Sequence, residues 1–268
     1  KTGYTKKAKR TLVTSAKKDN LELTIVTLNC GGDFAYHKQL YEKHFDIYGS
    51  KLIVEKGELR ILDYLTYIDE DIYYFARKED LEKLKVKKFD LPRLKSKTDM
   101  IIYETSVRDF SMHKAGKMKN RGKFLAFTEK ETRTDTGKTT GLDYLEEIGI
   151  THLQLMPIND FATVDEAHPL VLYNWGYDPA QYNVTEGSYV TDPNDGYARV
   201  REAQQMIEAI HERGIRVVLD VVYNHMHDIN NNALEKTVPH YFFRRNGDGS
   251  LSNGSWCGND LNTKAKMC

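Results

Sequence analysis

Three aromatic residues stand at alternate positions in one short segment, and their spacing suits a sugar-binding surface. Tyr173, Trp175 and Tyr177 lie in VLYNWGYDPAQY, and Asp178 and Pro179 follow them directly. Aromatic rings beside hydrogen-bonding groups fit a sugar, because a sugar ring offers both an apolar face and hydroxyl groups. The same composition also fits an ordinary packed turn. This segment alone leaves the two interpretations equally supported.

A second candidate is Asp220, which interrupts the otherwise apolar segment IRVVLDVVYNH. Burying a carboxylate without a partner costs several kcal/mol, so its position requires an explanation. A structural hydrogen bond is the ordinary explanation, and a polar site at the end of a strand is the functional one. Asn224 and His225 follow shortly after Asp220. Their proximity favours a site that contacts a ligand.

The elements that must position these residues alternate between strands and helices. Apolar patterns predict strands at 99–105, 151–158 and 215–225, and helices at 139–150 and 194–215. This alternation predicts a parallel α/β sheet, and the continuous apolar character of the last strand predicts that both its faces are covered. In β/α barrels the site lies at the carboxyl ends of the strands. Both candidate segments fall at such ends.

Residues 1–97 predict a small β-rich region whose identity the sequence leaves uncertain. The patterns indicate a strand at 21–29, a hairpin around Lys56 and Gly57, and a strand at 71–77. The charge-rich segment 78–99 predicts a short helix followed by a linker. The basic residues among the first 18 favour a solvated arm. The sequence therefore predicts two domains, 1–97 and 98–268.

The charge and the cysteine content exclude several classes of protein. Lys plus Arg equals Asp plus Glu, at 39 each, which gives no general attraction to nucleic acid or to an anionic membrane. Cys30, Cys257 and Cys268 form no C-x-x-C motif, which argues against a zinc site or a disulfide framework. No secretory signal or membrane-length apolar segment is visible. We expect a cytoplasmic protein, although the chain begins with Lys1 rather than Met.

YNWGYDP (173–179) and DVVYNH (220–225), taken together and in this order, resemble type I pullulanases. These are debranching members of the α-amylase superfamily of glycoside hydrolases. The first motif sets pullulanases apart, and the second is the first motif that the superfamily shares, at the end of the third barrel strand. The resemblance spans roughly 99–268 and implies the N-terminal part of a (β/α)8 barrel, with about three of its eight strands.

The resemblance also implies an activity and roles for the matching residues. The activity is retaining hydrolysis of α-1,6 glucosidic branch points in pullulan, glycogen or starch-derived dextrins. Tyr177 corresponds to the ring that stacks on the sugar, His225 to the contact with its 6-hydroxyl, and Asp220 to a supporting carboxylate. Asn224 stands where calcium is ligated in amylases that bind it. No cofactor is required, and calcium binding stays open. Trp256 departs from the pattern, because a small residue is expected there.

No residue of this sequence can be matched to the catalytic pair that the resemblance implies. A retaining glycosidase needs a nucleophilic and an acid/base carboxylate about 5 Å apart. The family carries its nucleophile in a G-F-R-F-D motif, and this chain contains no such motif. We therefore expect the nucleophilic Asp and the acid Glu beyond Cys268. The chain alone is expected to be inactive, and poorly stable because its last strand has an open apolar edge.

Three other interpretations remain. The first is an isoamylase or a glycogen-branching relative with the same barrel. The second is a non-catalytic protein that binds α-glucan, and the third is a misassembled fragment without a function of its own. Binding of a maltooligosaccharide without turnover favours the second, and failure to fold favours the third.

Overall fold

The structure, a computed structural model, describes residues 2–5, 9–61, 64–83, 87 and 89–266. The chain divides into two compact units, Lys1–Lys88 and Phe89–Cys268. The boundary lies before the one expected at 97/98, because the segment after residue 88 packs on the second unit. The Phe89 ring meets the His211 ring edge-on at 5.4 Å, and Arg216 donates a hydrogen bond to the Pro92 carbonyl.

In the first unit, the described residues form antiparallel strands and two helices. The elements are β1 (Thr2–Thr5), β2 (Lys9–Lys18), β3 (Leu21–Leu28), α1 (Asp33–Ile47), β4 (Tyr48–Val54), β5 (Gly57–Ile61), β6 (Tyr64–Ile68), β7 (Ile72–Arg77) and α2 (Lys78–Lys83). Strands β1, β2 and β3 form one sheet, β4 pairs with β7, and β5 pairs with β6. The strands predicted at 21–29 and 71–77 and the short helix after them are confirmed.

Two predictions for this unit are wrong. The predicted hairpin around Lys56 and Gly57 is absent, because β4 pairs with β7 and leaves β5 to pair with β6. The connection between β5 and β6, at 62–63, lies outside the described residues. The basic start is no solvated arm in its described part, where β1 and β2 pair. Basic side chains suit exposed strand positions, while Leu12 of β2 is buried. Residues 1 and 6–8 lie outside the description.

Helix α1 was not predicted from the sequence, and the reason is chemical. Its buried residues are Asp33 and His37, which are both polar. Thr14 Oγ1 lies 2.6 Å from His37 Nδ1, and Thr27 Oγ1 lies 2.9 Å from its Nε2. The helix therefore docks on β2 and β3 through hydrogen bonds. Apolar periodicity, the signal used to find helices, does not reveal such a face.

The second unit is built around a parallel sheet. Its helices and strands are β8 (Ile102–Thr105), α3 (Asp109–Met112), α4 (Gly141–Glu147), β9 (His152–Leu155), α5 (Gly196–Glu212), β10 (Arg216–Leu219) and α6 (Ala233–Thr237). The strand order is β10-β9-β8, and both pairings are parallel. The three predicted strands and the two predicted helices are confirmed, each shorter than its sequence pattern. The described strands form an open sheet.

Helix α5 returns the chain from β9 to β10 and covers the sheet. Asp195 caps it by accepting a hydrogen bond from the Tyr197 N–H at 2.9 Å. Met206 and Ile210 are completely buried and face the core. Gly214, at φ +73°, follows its C-terminus. No helix in the described ranges combines the length and the apolarity that crossing a membrane requires.

Burial differs sharply between the central strand and the outer strands. Leu153 and Leu155 of β9 are completely buried. Leu219 at the end of β10 is 44% exposed, so the prediction that this strand is covered on both faces is wrong. Strand β10 has a neighbour on one side only among the described residues. Ile102 of β8, the other outer strand, is also exposed. The open apolar edge expected for the last strand is therefore present in the described sheet.

This difference in burial predicts the effect of two matched truncations. Leu153→Ala should lower the free energy of unfolding by about 2–5 kcal/mol, because it opens a cavity beneath the central strand. Leu219→Ala, the same change in the same sheet, should lower it by less than about 1 kcal/mol. Urea unfolding of the two variants measures both losses. Equal losses would contradict the burial of β9.

Candidate functional site

The loop that follows β9 meets the segment that follows β10 at the carboxyl edge of the sheet. We call residues 171–182 the aromatic loop and residues 220–228 the Asp220 segment. Tyr177 Oη donates a hydrogen bond to Asp220 Oδ2 at 2.7 Å and joins the two. Asp220 is itself positioned by β9, because its backbone N–H donates to the Leu155 carbonyl at 3.0 Å. The structure thus brings together the two segments that the sequence singled out.

His225 forms a second connection between the two segments. It is buried, and its Nε2 lies 3.1 Å from the carbonyl oxygen of Tyr177. A carbonyl oxygen only accepts, so Nε2 carries the proton of this hydrogen bond. Nδ1 of the same ring lies 3.1 Å from the side-chain oxygen of Asn224. Tyr182 Oη donates to the His225 carbonyl, which ties the segment to the aromatic loop again.

Asp220 is half-buried, so the expectation of a buried carboxylate is too strong. The carboxylate lies one residue past the end of β10, and its partner is the Tyr177 hydroxyl. Burial, and then the hydrogen bond to Asp220, raise the pKa of Tyr177 to about 12. The phenol therefore stays protonated at neutral pH and remains the donor of the hydrogen bond to Asp220. The Tyr177 residue remains 41% exposed, which leaves part of it accessible to a ligand.

Asp178 holds the aromatic loop together. Its carboxylate accepts hydrogen bonds from the Thr163 N–H at 3.1 Å, the Thr163 hydroxyl at 2.8 Å and the Asn174 amide at 2.7 Å. Asn174 in turn accepts from the Gly176 N–H at 2.7 Å. The structure places Asp178, predicted as a substrate-binding residue, where it fixes the loop that carries the rings.

Gly176 brings the aromatic loop against the end of β9. Its φ is +89°, and a Cβ at this position would lie 2.9 Å from both the Cβ and the carbonyl oxygen of Pro157. Real Cβ atoms almost never approach other atoms this closely. Glycine therefore permits the close approach of the two segments. Its neighbours Trp175 and Tyr177 are exposed at 59% and 41%.

Two residues that follow the end of β8 contact Tyr173, and Tyr173 in turn packs against Trp175. The Tyr173 hydroxyl donates to the Asp109 carboxylate, and the Arg108 guanidinium lies 4.9 Å from the centre of the Tyr173 ring. Burial, and then the Asp109 hydrogen bond, raise the pKa of Tyr173. The Trp175 ring packs edge-on against the Tyr173 ring at 6.5 Å. Sequence reasoning missed Arg108 and Asp109, although their position just past a strand end was a usable signal.

The calcium role implied for Asn224 stays a prediction. The residue is exposed and supplies one side-chain oxygen, whereas calcium takes roughly six to eight oxygen ligands.

A group of carboxylates that the sequence analysis missed lies after β9. Oxygen atoms of Asp160, Glu166 and Glu186 lie within 4.8 Å of one another. Arg199 donates to both oxygens of Glu166, so this group contains its own compensating charge.

Comparison with known families identifies the second unit. The family described as the α-amylase catalytic domain matches residues 123–257, which is half of the chain. The chain belongs to the α-amylase family. The matched range includes the aromatic loop, the Asp220 segment, β9 and β10. In this α-amylase-family chain, the parallel sheet and its helices are part of a (β/α)8 barrel, as the resemblance implied.

Relatives of the chain within the α-amylase family include pullulanases. The pullulanase of Bacillus subtilis is 50% identical over 169 residues, which cover 63% of this chain and 24% of the relative. The structure of Anoxybacillus sp. LM18-11 pullulanase complexed with maltotetraose superposes with a TM-score of 0.67 at 40% identity, covering 79% of this chain and 30% of that one. The pullulanase of Paenibacillus barengoltzii in complex with maltohexaose and α-cyclodextrin gives 0.64 at 45% identity, covering 66% and 28%.

The resemblance to pullulanases is therefore confirmed for the second unit. The chain spans about a quarter of the length of the Bacillus subtilis relative.

The close approach at Gly176 predicts a difference between two glycine substitutions. Gly176→Ala and Gly137→Ala both place a side chain at positive φ, +89° and +80°, which costs about 1–2 kcal/mol of stability. A Cβ at 137 meets nothing within 4 Å, whereas one at 176 overlaps Pro157. Gly176→Ala should therefore cost about 1–3 kcal/mol more. Urea unfolding measures both losses, and equal losses would show that the approach to Pro157 is not constrained.

Proposed function

We propose that this chain forms the α-glucan-binding part of a pullulanase-type glycoside hydrolase. The whole enzyme would cleave α-1,6 glucosidic branch points in pullulan, glycogen or starch-derived dextrins by a retaining mechanism. The observation that carries the proposal is the hydrogen bond from Tyr177 to Asp220, which places an accessible ring beside a carboxylate at the carboxyl edge of the sheet. The pullulanase relatives, and the complexes of two of them with maltooligosaccharides, support it.

The geometry suggests how one glucose unit is held. The exposed part of the Tyr177 ring offers a flat surface for the apolar face of the sugar. Tyr177 occupies Oδ2 of Asp220, which leaves Oδ1 as an acceptor for a sugar hydroxyl. His225 is held through Nε2 on the Tyr177 carbonyl. Its Nδ1 contacts the Asn224 side-chain oxygen and would exchange this contact for the 6-hydroxyl contact that the resemblance implies.

We assign no catalytic pair to this chain. Retaining hydrolysis requires two carboxylates about 5 Å apart, one as nucleophile and one as acid/base. Asp178 is engaged with Thr163 and Asn174, and Asp220 is engaged with Tyr177. The sequence contains no G-F-R-F-D motif that would supply the nucleophile. The chain therefore contributes binding of the glucan, without the chemistry of cleavage.

Pullulanase-type specificity is favoured over the isoamylase and branching alternatives. The aromatic loop carries YNWGYDP, the segment that implied pullulanase, and the Bacillus subtilis, Anoxybacillus and Paenibacillus relatives are pullulanases. The continuous apolar core that α4, α5 and β9 enclose supports a folded unit over the misassembled fragment. We propose no required cofactor for the binding of glucan.

Removal of the Tyr177 ring tests the proposed site. Tyr177→Ala should weaken the binding of maltohexaose at least tenfold, because the stacking surface and the donor to Asp220 are both lost. Tyr144→Ala is the matched control, since Tyr144 lies on α4 and is 43% exposed, close to the 41% of Tyr177. Isothermal titration calorimetry measures both affinities. Unchanged affinity in Tyr177→Ala would overturn the proposed binding site.

The missing catalytic pair predicts binding without turnover. Purified protein of this sequence should bind maltohexaose and yet release no reducing ends from pullulan above the buffer rate. A reducing-sugar assay, with intact mass spectrometry to verify the length of the chain, makes the measurement. Hydrolysis by a chain of verified length would show that its own residues supply the two carboxylates.

A further inference from the structure

Trp256 is the most exposed large apolar residue among those the structure describes. It is 90% exposed, whereas tryptophan normally buries most of its large ring in a core or an interface. It lies within residues 252–260, which we call the Trp256 loop. Packing within the described residues therefore does not account for its presence.

The backbone at this position also opposes a large side chain. Trp256 has φ +64°, in the left-handed region that glycine enters freely and that other residues enter against steric repulsion. The resemblance to pullulanases implied a small residue here. The chain thus keeps an indole ring where its own backbone conformation favours glycine. A function of the ring in binding a ligand, rather than in packing of the fold, would explain both its exposure and its backbone conformation.

The Trp256 loop is held in one conformation by a carboxylate. Asp260, which is buried, accepts from the Ser252 hydroxyl at 2.8 Å, the Gly254 N–H at 2.6 Å and the Ser255 N–H at 2.9 Å. Burial pushes the pKa of Asp260 up, but the hydrogen bonds from Ser255, Ser252 and Gly254 outweigh burial and hold it far below its usual range. The carboxylate stays charged, and the loop stays closed around it. A preformed loop offers its ring to a ligand at a small entropic cost.

The same loop is attached to the candidate site. Asp260 pairs with His225 in an antiparallel bridge, and the Asn259 side chain donates to the His227 carbonyl at 2.9 Å. His225 in turn contacts the Tyr177 carbonyl. Because the Ser255 N–H reaches the Asp260 carboxylate, backbone dimensions place the Trp256 Cα within about 12 Å of the Asp260 Cα. Tyr177 and Trp256 are therefore two exposed rings anchored on the same Asp220 segment.

We propose that Trp256 is a second stacking surface for the α-glucan chain, which binds a glucose unit other than the one at Tyr177. This inference rests on the proposed function. Its ligand is a maltooligosaccharide long enough to contact both rings. The maltohexaose complex of the Paenibacillus barengoltzii pullulanase supports an extended ligand of this class. With Trp256, the glucan-binding site extends beyond the glucose unit at Tyr177. The chain therefore prefers glucans that are long enough to contact both rings.

The first test separates binding from stability. Trp256→Gly should weaken maltohexaose binding at least fivefold in calorimetry and should raise the urea midpoint of unfolding, because glycine relieves the left-handed strain. Trp256→Phe keeps a ring and should retain most of the affinity. A merely structural tryptophan would lower the urea midpoint when it is removed. Equal maltohexaose affinity in Trp256→Gly and the unsubstituted chain would overturn the inference.

The second test observes the ring directly. The chain contains two tryptophans, so Trp175→Phe leaves Trp256 as the only one. Iodide quenching of its fluorescence should fall at least twofold when maltohexaose saturates the protein. Unchanged quenching at saturation would place the sugar away from Trp256 and overturn the inference.

Tyr177→Ala, measured in parallel, distinguishes the failure of this inference from the failure of the proposed function. If Tyr177→Ala loses affinity and Trp256→Gly does not, the site at Tyr177 stands and the second surface is refuted. If the unsubstituted chain shows no maltohexaose binding, the proposed function fails and this inference fails with it.

Discussion

The hydrogen bond from Tyr177 to Asp220 is the interaction on which the candidate site depends. It joins two loops that leave neighbouring parallel strands, and it links residues that lie 43 positions apart in the sequence. Burial and the nearby carboxylate raise the pKa of Tyr177 to about 12, so the donor keeps its proton across the neutral range. The accessible ring and the carboxylate are thus held in one fixed relation. The contacts of His225 and Gly176 with their neighbours preserve that relation.

Much of the parallel unit could be predicted from the sequence, because its signals are local. The apolar stripe and the Asp195 cap of α5 lie within one helix, and β9 is a short apolar segment. Parallel strands end at a common edge, so the sequence also predicted that Asp220 and the aromatic loop would both lie at strand ends. It could not predict that Asp220 would be only half-buried, because exposure depends on which elements cover β10.

The failures in the first unit and around the site share a physical cause. The pairing of β4 is non-local, since β4 pairs with β7 although β5 and β6 lie between them in the sequence. Helix α1 presents His37 to the sheet, and a polar residue leaves no apolar pattern to detect. The contact between Asp109 and Tyr173 likewise joins distant residues through hydrogen bonding. Periodicity reports which face of an element is apolar, and it carries no information about polar partners.

The hydrogen bonds to three other carboxylates explain how Asp220 differs from them in its availability to a ligand. Asp178, Glu186 and Asp260 each accept hydrogen bonds from backbone N–H groups, and each closes the loop that surrounds it. Oxygen atoms of these three carboxylates are thus engaged by donors of the fold itself. Asp220 differs, because the donor to its carboxylate is the phenol of Tyr177, a residue that is itself partly exposed. A ligand at this ring can therefore reach a carboxylate oxygen without opening a loop.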